Sequence, residues 1–370
     1  MKKVLFLGLH PSRKSGVSKA QIELASALRA EGLWVDALSA QSIPGHDYTL
    51  SSGETIHFSS LDDFLLHSKQ EGNDYDILHV HSWAWSPKEM PLGGLAKVKG
   101  LFDSAGVVHT FHSFIPNEYD AQRSILDLVD LVTLLSPAAE ASFVEEFSDL
   151  SGGLPPYRIL PNVVTTNDLD SAVVDSLKSQ IAPLGETVLL YVGRLDDNKG
   201  VLELAEAFKV VYPKYESVKL VVIGSKSHSD PVEYRKIMEK MLVGTNVHFT
   251  GWIEESEVAA YQRIANLQIA PSRFEAFPLG IAKGVLNGCV VAISDIPSHR
   301  EIYHLDTPEP LAIKISSPCS VDAIVLSMRE FLDAPHNFAD MVRRGQEELQ
   351  ALYSPKKVAQ QYIQAYEEIC

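Results

Sequence analysis

Short β-branched runs alternate with helix-patterned segments along almost the whole chain, and that alternation constrains the fold more than any other feature. The apolar runs VLFLGL (4–9), VDALSA (35–40), DILHVH (76–81), VVHTFH (107–112), LVTLLS (131–136) and RILPNV (158–163) form a first set. TVLLYVG (187–193), KLVVIG (219–224), VHFTG (247–251), LQIAP (267–271), VVAIS (290–294) and AIKI (312–315) form a second. Strands that are apolar nearly end to end are covered on both faces, as in a parallel sheet lying between helices. A polar stretch at 165–186 separates the two sets. At 370 residues the chain exceeds one ordinary core. The expected fold class is therefore α/β, with two doubly wound, Rossmann-like domains at 1–170 and 171–352.

The helix signals agree. Val17 to Glu31 places Ala20, Leu24 and Leu28 on one face and stops at Gly32. Pro278 suits a first helical turn and Gly288 a left-handed exit, which predicts a helix over 278–287 running straight into strand 290–294. A last helix over 355–369 carries Val358, Tyr362, Ala365 and Ile369 on one side and is expected to pack back on the first domain.

Charge narrows the partners. A formal charge of −16 argues against nucleic acid, whose phosphates are bound by basic surfaces, and disfavours broad docking to anionic lipid. An anionic substrate would have to be met by a few placed cations. No run is apolar and long enough to span a bilayer. The opening MKKVLFLGLH has too short an apolar run for a signal peptide, and it reads as a first strand. Cys289, Cys319 and Cys370 lack metal or redox spacing, so a reducing cytoplasm is expected.

Ligands of open α/β sheets bind beyond the carboxyl ends of strands, so two such domains predict a site in a cleft between them. Loops HPSRKSGV (10–17), HSFIPN (112–117), PNVVT (161–165), GRLDDNKG (193–200), GSKSHS (224–229) and PSRFEAFPLG (271–280) would line it. Arg194 and Lys199 flank one of these loops, where a guanidinium fork and an ammonium could hold a diphosphate. The spacing is not that of a P-loop. Glu275 stands just before a helix start, which favours an anion, either the Glu itself or a bound phosphate. His112 ends a strand at the expected cleft and is a candidate for touching substrate. His79 and His81 read as packed, hydrogen-bonded residues, because no set of three or four converging metal ligands is evident. The triplets Asp74-Tyr75-Asp76 and Asp168-Leu169-Asp170 could in principle hold a divalent cation, but their placement makes them surface acids.

Taken in order, these features resemble a known family, the retaining glycosyltransferases of GT-B fold with a Glu, seven residues and a second Glu. SGV (15–17), TFH (110–112), LPN (160–162), YVGRLDDNKG (191–200), VHFTGW (247–252), IAPSRFEAFPLG (269–280) and SDIPSHREI (294–302) stand where that family has its motifs. The resemblance implies a metal-independent, cofactor-free hexosyl transfer from a nucleotide sugar to a hydroxyl acceptor. Arg194 and Lys199 would bind the diphosphate, with Gly193 in the same loop. Glu275 would face the donor sugar. Backbone N–H groups around Phe277, Leu279 and Gly280 would hold sugar hydroxyls and phosphate. His112 would reach the sugar from the other domain, Gly16 would let the backbone approach the donor, and Ile253 would lie near the base.

One departure is sharp. Lys283 replaces the second Glu, which in the family accepts hydrogen bonds from ribose hydroxyls, and an ammonium has no acceptor. Lys283 either retunes the donor pocket or is a bystander pointing to solvent or paired with an acid. Two alternatives to transfer stand beside it: a GT-B sugar-nucleotide epimerase, and a catalytically altered nucleotide-sugar-binding protein.

Overall fold

The alternation of apolar runs and helices becomes two mainly parallel sheets in the computed structural model, which describes residues 2–9, 15–40, 46–81, 94–112, 119–150, 152–166, 168–215, 217–226 and 232–369. The chain divides into two units, Met1–Val163 with Leu352–Cys370, and Val164–Ala351. The boundary falls at Val163/Val164 rather than at 170/171. The polar stretch read as a linker contains a helix, Ser171–Ile181, whose first turn is capped by Asp170 accepting from the Ala172 N–H at 2.9 Å. That cap also accounts for the second Asp-x-Asp triplet. In the first triplet, Asp76 accepts from the Lys3 N–H at 2.7 Å. Residues 10–14, 113–117 and 227–229 of the expected loops lie outside the described residues.

Unit 1 holds strands β1 (Lys3–Leu9), β2 (Trp34–Ala40), β3 (His46–Thr49), β4 (Thr55–Phe58), β5 (Ile77–Val80), β6 (Gly106–Phe111), β7 (Leu131–Leu134) and β8 (Tyr157–Ile159) in the order β4-β3-β2-β1-β5-β6-β7-β8. The six strands expected from the apolar runs pair in parallel. β3 and β4 form an antiparallel hairpin at the edge, a departure from the all-parallel reading, turning at Gly53 with φ +94°. Ser15 starts the first helix, Gly16–Ala30, by accepting from the Ser18 N–H at 3.1 Å.

The helix Pro355–Glu367 belongs to unit 1. It buries Val358, Ala359, Tyr362, Ala365 and Tyr366 against Val4, Phe6, Leu24, Leu28 and Val35. A valine, leucine or phenylalanine side chain taken from water in this way contributes about 1.5–3 kcal/mol. Ile369, beyond the helix end, packs so closely on Gly106 that a Cβ there would lie 3.0 Å from its Cδ1.

Unit 2 holds β9 (Thr187–Val192), β10 (Val218–Ile223), β11 (Val247–Gly251), β12 (Leu267–Ala270), β13 (Val290–Ser294) and β14 (Ile313–Ile315). All are parallel, in the order β11-β10-β9-β12-β13-β14. Its core runs from Leu189 and Tyr191 through Leu204, Phe208, Leu220 and Ile269 to Ile324 and Phe331.

Candidate active site

In unit 2, β9 pairs with β10 on one side and β12 on the other, so chain order reverses at β9. Loops leaving the carboxyl ends of the strands at such a switch point are where open α/β sheets hold ligands. Those loops are Gly193–Gly200 and Pro271–Pro278, and they are stitched together. The Arg273 N–H donates to the Asn198 carbonyl at 2.7 Å, and the Asn198 amide donates to the Phe274 carbonyl at 3.0 Å. Gly200 has φ +63°, and a Cβ there would lie 2.7 Å from the Pro271 carbonyl oxygen, so only glycine serves at the seam. At the loop's other end, the Gly193 N–H donates to the Ile223 carbonyl at 3.0 Å.

This seam brings Lys199 and Glu275 into contact. The Lys199 ammonium donates to Glu275 Oε1, and both side chains are largely buried. Ser272 Oγ donates to the same oxygen at 2.9 Å. Burial pushes the Glu275 carboxyl up, but Lys199, His299 and Ser272 outweigh it and hold it below the ordinary value, so it is a carboxylate at neutral pH. His299 is fully buried, and its Nδ1–H donates to the Ser294 carbonyl at 2.8 Å. Nε2 is then a bare lone pair without a partner among the described residues. Burial drives this imidazole down to about 4 despite the upward pull of Glu275, and it is neutral. Arg194 is half-exposed, its Nε 3.0 Å from Asp196 Oδ2, while Asp196 Oδ1 accepts from the Lys199 N–H at 3.1 Å. One carboxylate thus braces the loop at both of its cationic residues.

Phe277 is buried and its carbonyl accepts from the Leu279 N–H at 2.9 Å. The following helix is Leu279–Leu286, with Pro278 as its cap rather than in its first turn and no side-chain oxygen closing its start. The Gly280 carbonyl accepts from Gln262 at 2.9 Å and Gln268 at 3.1 Å, which pins this helix to its neighbours. Lys283 does not point to solvent. Its side chain is 6% exposed and donates to Glu255 Oε1 at 2.9 Å. Glu255 opens the helix Glu255–Ile264, two residues after the partly buried Ile253 in the loop leaving β11.

In unit 1, His112 follows β6 at the carboxyl edge of the sheet, with its Nε2 3.2 Å from Nδ1 of His81 at the end of β5. Gly16 opens the first helix in open space: a Cβ added there would meet no atom within 4 Å. Behind His81, His79 stacks at 4.0 Å and joins a buried polar line. Its Nδ1 meets the Tyr366 hydroxyl at 2.7 Å, its Nε2 meets Thr110 Oγ1 at 2.7 Å, and Thr110 bonds Thr133 at 2.6 Å. His109 Nδ1–H donates to the Val80 carbonyl at 3.1 Å. Burial lowers all four imidazoles, His109 to about 4 and His112 to about 3, and neighbouring imidazoles deepen the shift at His79, His81 and His112. All four are neutral at pH 7.

Comparison with known proteins points the same way. Residues 175–348, nearly the whole of unit 2, match the model of the glycosyl transferases group 1. Unit 2 is thus similar to that family over nearly its whole length. A lipopolysaccharide 1,2-N-acetylglucosaminetransferase of Salmonella typhimurium is 26% identical over 216 residues, which is 55% of this chain and 54% of that protein. The phosphatidyl-myo-inositol mannosyltransferase of Mycobacterium tuberculosis is 25% identical over 389 aligned positions, 96% of this chain and 93% of that protein. Among solved structures, Anabaena Alr3699/HepE in complex with UDP-glucose superposes with a TM-score of 0.75 at 15% identity, covering 100% of both chains. The fold is GT-B, and the protein is a glycosyltransferase.

Several residues of this glycosyltransferase's site carry no signal of their own in the sequence. Ser272 and His299 lie inside the family-like motifs, and their bonds to Glu275 and Ser294, three and five residues away, depend on the local turn each segment adopts. Glu255, the partner of Lys283, is 28 residues away on another helix. Among the described residues no group of three or more His, Cys, Asp or Glu is placed to hold a metal ion, and no helix is long and apolar enough to cross a membrane.

Proposed function

We propose that this glycosyltransferase moves a hexosyl group from a nucleoside diphosphate sugar to a hydroxyl acceptor, with retention at the anomeric carbon and without a divalent metal or other cofactor. The observation that carries the reading is the Lys199–Glu275–Ser272 cluster at the switch point of unit 2, with Arg194 on the same loop. Donor diphosphate is met by Arg194, Lys199 and the positive end of helix Leu279–Leu286, which together supply the positive charge that a bound cation would otherwise bring. Gly193 keeps the loop close to the strand end, and Phe277, Leu279 and Gly280 offer backbone to sugar and phosphate. Glu275 Oε2 accepts from a sugar hydroxyl while Lys199 and Ser272 hold Oε1. Ile253 lies at the base end, and Gly16 and His112 contact ligand from the carboxyl edge of unit 1.

Lys283 supplies no acceptor to ribose in this scheme. Its ammonium is committed to Glu255, and the pair fixes the start of one helix to the flank of another.

The test is a panel of nucleotide sugars after exhaustive chelation, with the product's anomeric configuration read by NMR. Transfer with retention in EDTA, abolished in Glu275→Gln, is the expected result. Loss of activity in EDTA with recovery on Mg²⁺ or Mn²⁺ would overturn metal independence, and an inverted product would overturn retention. Release of an epimer without acceptor would replace transfer by epimerisation.

A further inference from the structure

His81 Nδ1 and His112 Nε2 share a hydrogen bond of 3.2 Å, and two neutral imidazoles can make it in only two ways. Either His81 donates from Nδ1, or it accepts there and carries its proton on Nε2. The Nε2 of His81 is buried without a hydrogen-bond partner among the described residues. A buried N–H left unpaired is the rarer and costlier defect, whereas an unpaired lone pair is better tolerated. The first arrangement is therefore favoured, and it places the proton of His112 on Nδ1.

The surroundings hold His81 in that role. Its ring packs at 4.5 Å on Phe6 of β1 and at 4.0 Å on His79, whose two nitrogens are taken by Tyr366 and Thr110. His81 is 2% exposed, which shields the bond from solvent.

We propose that His81 is a positioning residue for His112: by donating from Nδ1 to His112 Nε2 it fixes the His112 proton on Nδ1, so that His112 meets ligand as a hydrogen-bond donor and selects an oxygen acceptor, such as a sugar hydroxyl or ring oxygen. The ligand half of this statement rests on the proposed contact of His112 with substrate, whereas the tautomer half does not. Which ring nitrogen carries the proton is set by the hydrogen bond the other nitrogen makes, so the protein imposes the choice.

The experiment is ¹⁵N-edited NMR of the full chain with labelled histidine, on wild type, His81→Phe and His81→Asn, alongside steady-state kinetics. Wild type is expected to show His112 as the Nδ1–H tautomer. His81→Phe keeps the ring and loses the donor, so His112 shifts toward Nε2–H and kcat falls about tenfold, the equivalent of about 1.4 kcal/mol. His81→Asn carries an amide N–H near the place of Nδ1 and should restore both the tautomer and most of kcat, a rescue that a packing role alone would not give. An Nε2–H tautomer at His112 in wild type overturns the proposal even if neither variant folds. An unchanged His112 tautomer in folded His81→Phe overturns it as well. Undiminished turnover in His112→Ala would remove the ligand contact on which the donor role rests, while the tautomer measurement would still judge His81.

Discussion

The carboxyl edges of the two sheets are built from opposite electrostatic materials. Unit 1 gathers His79, His81, His109 and His112 in neutral form, joined by hydrogen bonds to Tyr366, Thr110 and the Val80 carbonyl. Unit 2 gathers formal charges and compensates each: Lys199 with Glu275, Arg194 with Asp196, Lys283 with Glu255. The imidazoles and the Lys199–Glu275 pair are both largely buried, and the response to burial differs. An imidazole escapes the cost of burial by shedding its proton, whereas a carboxylate among cations keeps its charge and is held by them. Edge chemistry in this architecture is thus set by the side chains that the loops deliver.

Acid should separate the two edges most strongly. The folded-state values of the four imidazoles lie below the unfolded value near 6.5, so their contribution to stability is complete above that pH. It is lost as pH falls from there toward about 4 at His109 and about 3 at His112. One pH unit below the unfolded value, His109 and His112 should each have given up about 1.4 kcal/mol. Glu275, depressed below its ordinary value, loses its contribution only as pH falls further, through the carboxylate range, while the buried His299 beside it gives way in the imidazole window. With four buried imidazoles against that one, hydrogen exchange at pH 7.5 and 5.5 should show protection falling further in β5–β7 than around residues 193–200. Equal loss in both places would erase the contrast.

A smaller effect is expected from Lys199→Ala, which removes a phosphate-facing cation and leaves Glu275 buried without its counter-charge. Turnover should fall by roughly two to three orders of magnitude, about 2.7–4 kcal/mol, measured as kcat on the best donor. Near-normal turnover would make the Lys199–Glu275 pair a purely structural feature.

Lys283→Met tests whether the third ion pair belongs with the catalytic charges or with the scaffold. Because Glu255 is 31% exposed and can rehydrate, the cost should be about 2–3 kcal/mol, below that of a fully enclosed pair. Denaturant melts should show this loss in Lys283→Met and a smaller one in the double variant Lys283→Met/Glu255→Gln. Simple additivity of the two substitutions would mean that the pair is not coupled.

The smallest effect belongs to unit 1. Tyr366→Phe deletes the hydroxyl that meets His79 Nδ1 at 2.7 Å and should cost about 1 kcal/mol in the same melts. No change would mean that the polar line is held by Thr110 and Thr133 alone.

How much of the molecule is legible in the sequence depends on whether a residue's role is local. The twelve runs with nearly continuous apolar character all become strands, because burial on both faces writes itself into composition. β3 and β4 carry no such mark: their residues alternate between buried or half-buried and more exposed positions, and HDYT and TIHF look like loop around Ser-Ser-Gly. Gly288 is readable as a left-handed position from its place after a helix. The ion pair of Lys283 is not, since nothing at position 283 names an acid on a separate helix. The tautomer of His112 is equally hidden, because it depends on which nitrogen of a neighbouring ring lacks a hydrogen-bond partner among the described residues.

The helix Pro355–Glu367 gives the chain a particular order of assembly. Unit 1 is written in two instalments, Met1–Val163 and Leu352–Cys370, with all of unit 2 in between. On the ribosome, where domains tend to complete from the amino end, unit 2 is contiguous and can close on itself before the last instalment of unit 1 has been made. Until then the first eight strands wait with the face of Val4, Phe6, Leu24 and Leu28 uncovered and His79 lacking the Tyr366 hydroxyl. The part of the protein synthesised first is therefore the part finished last, and a premature stop anywhere in residues 164–354 strands it with an exposed apolar face.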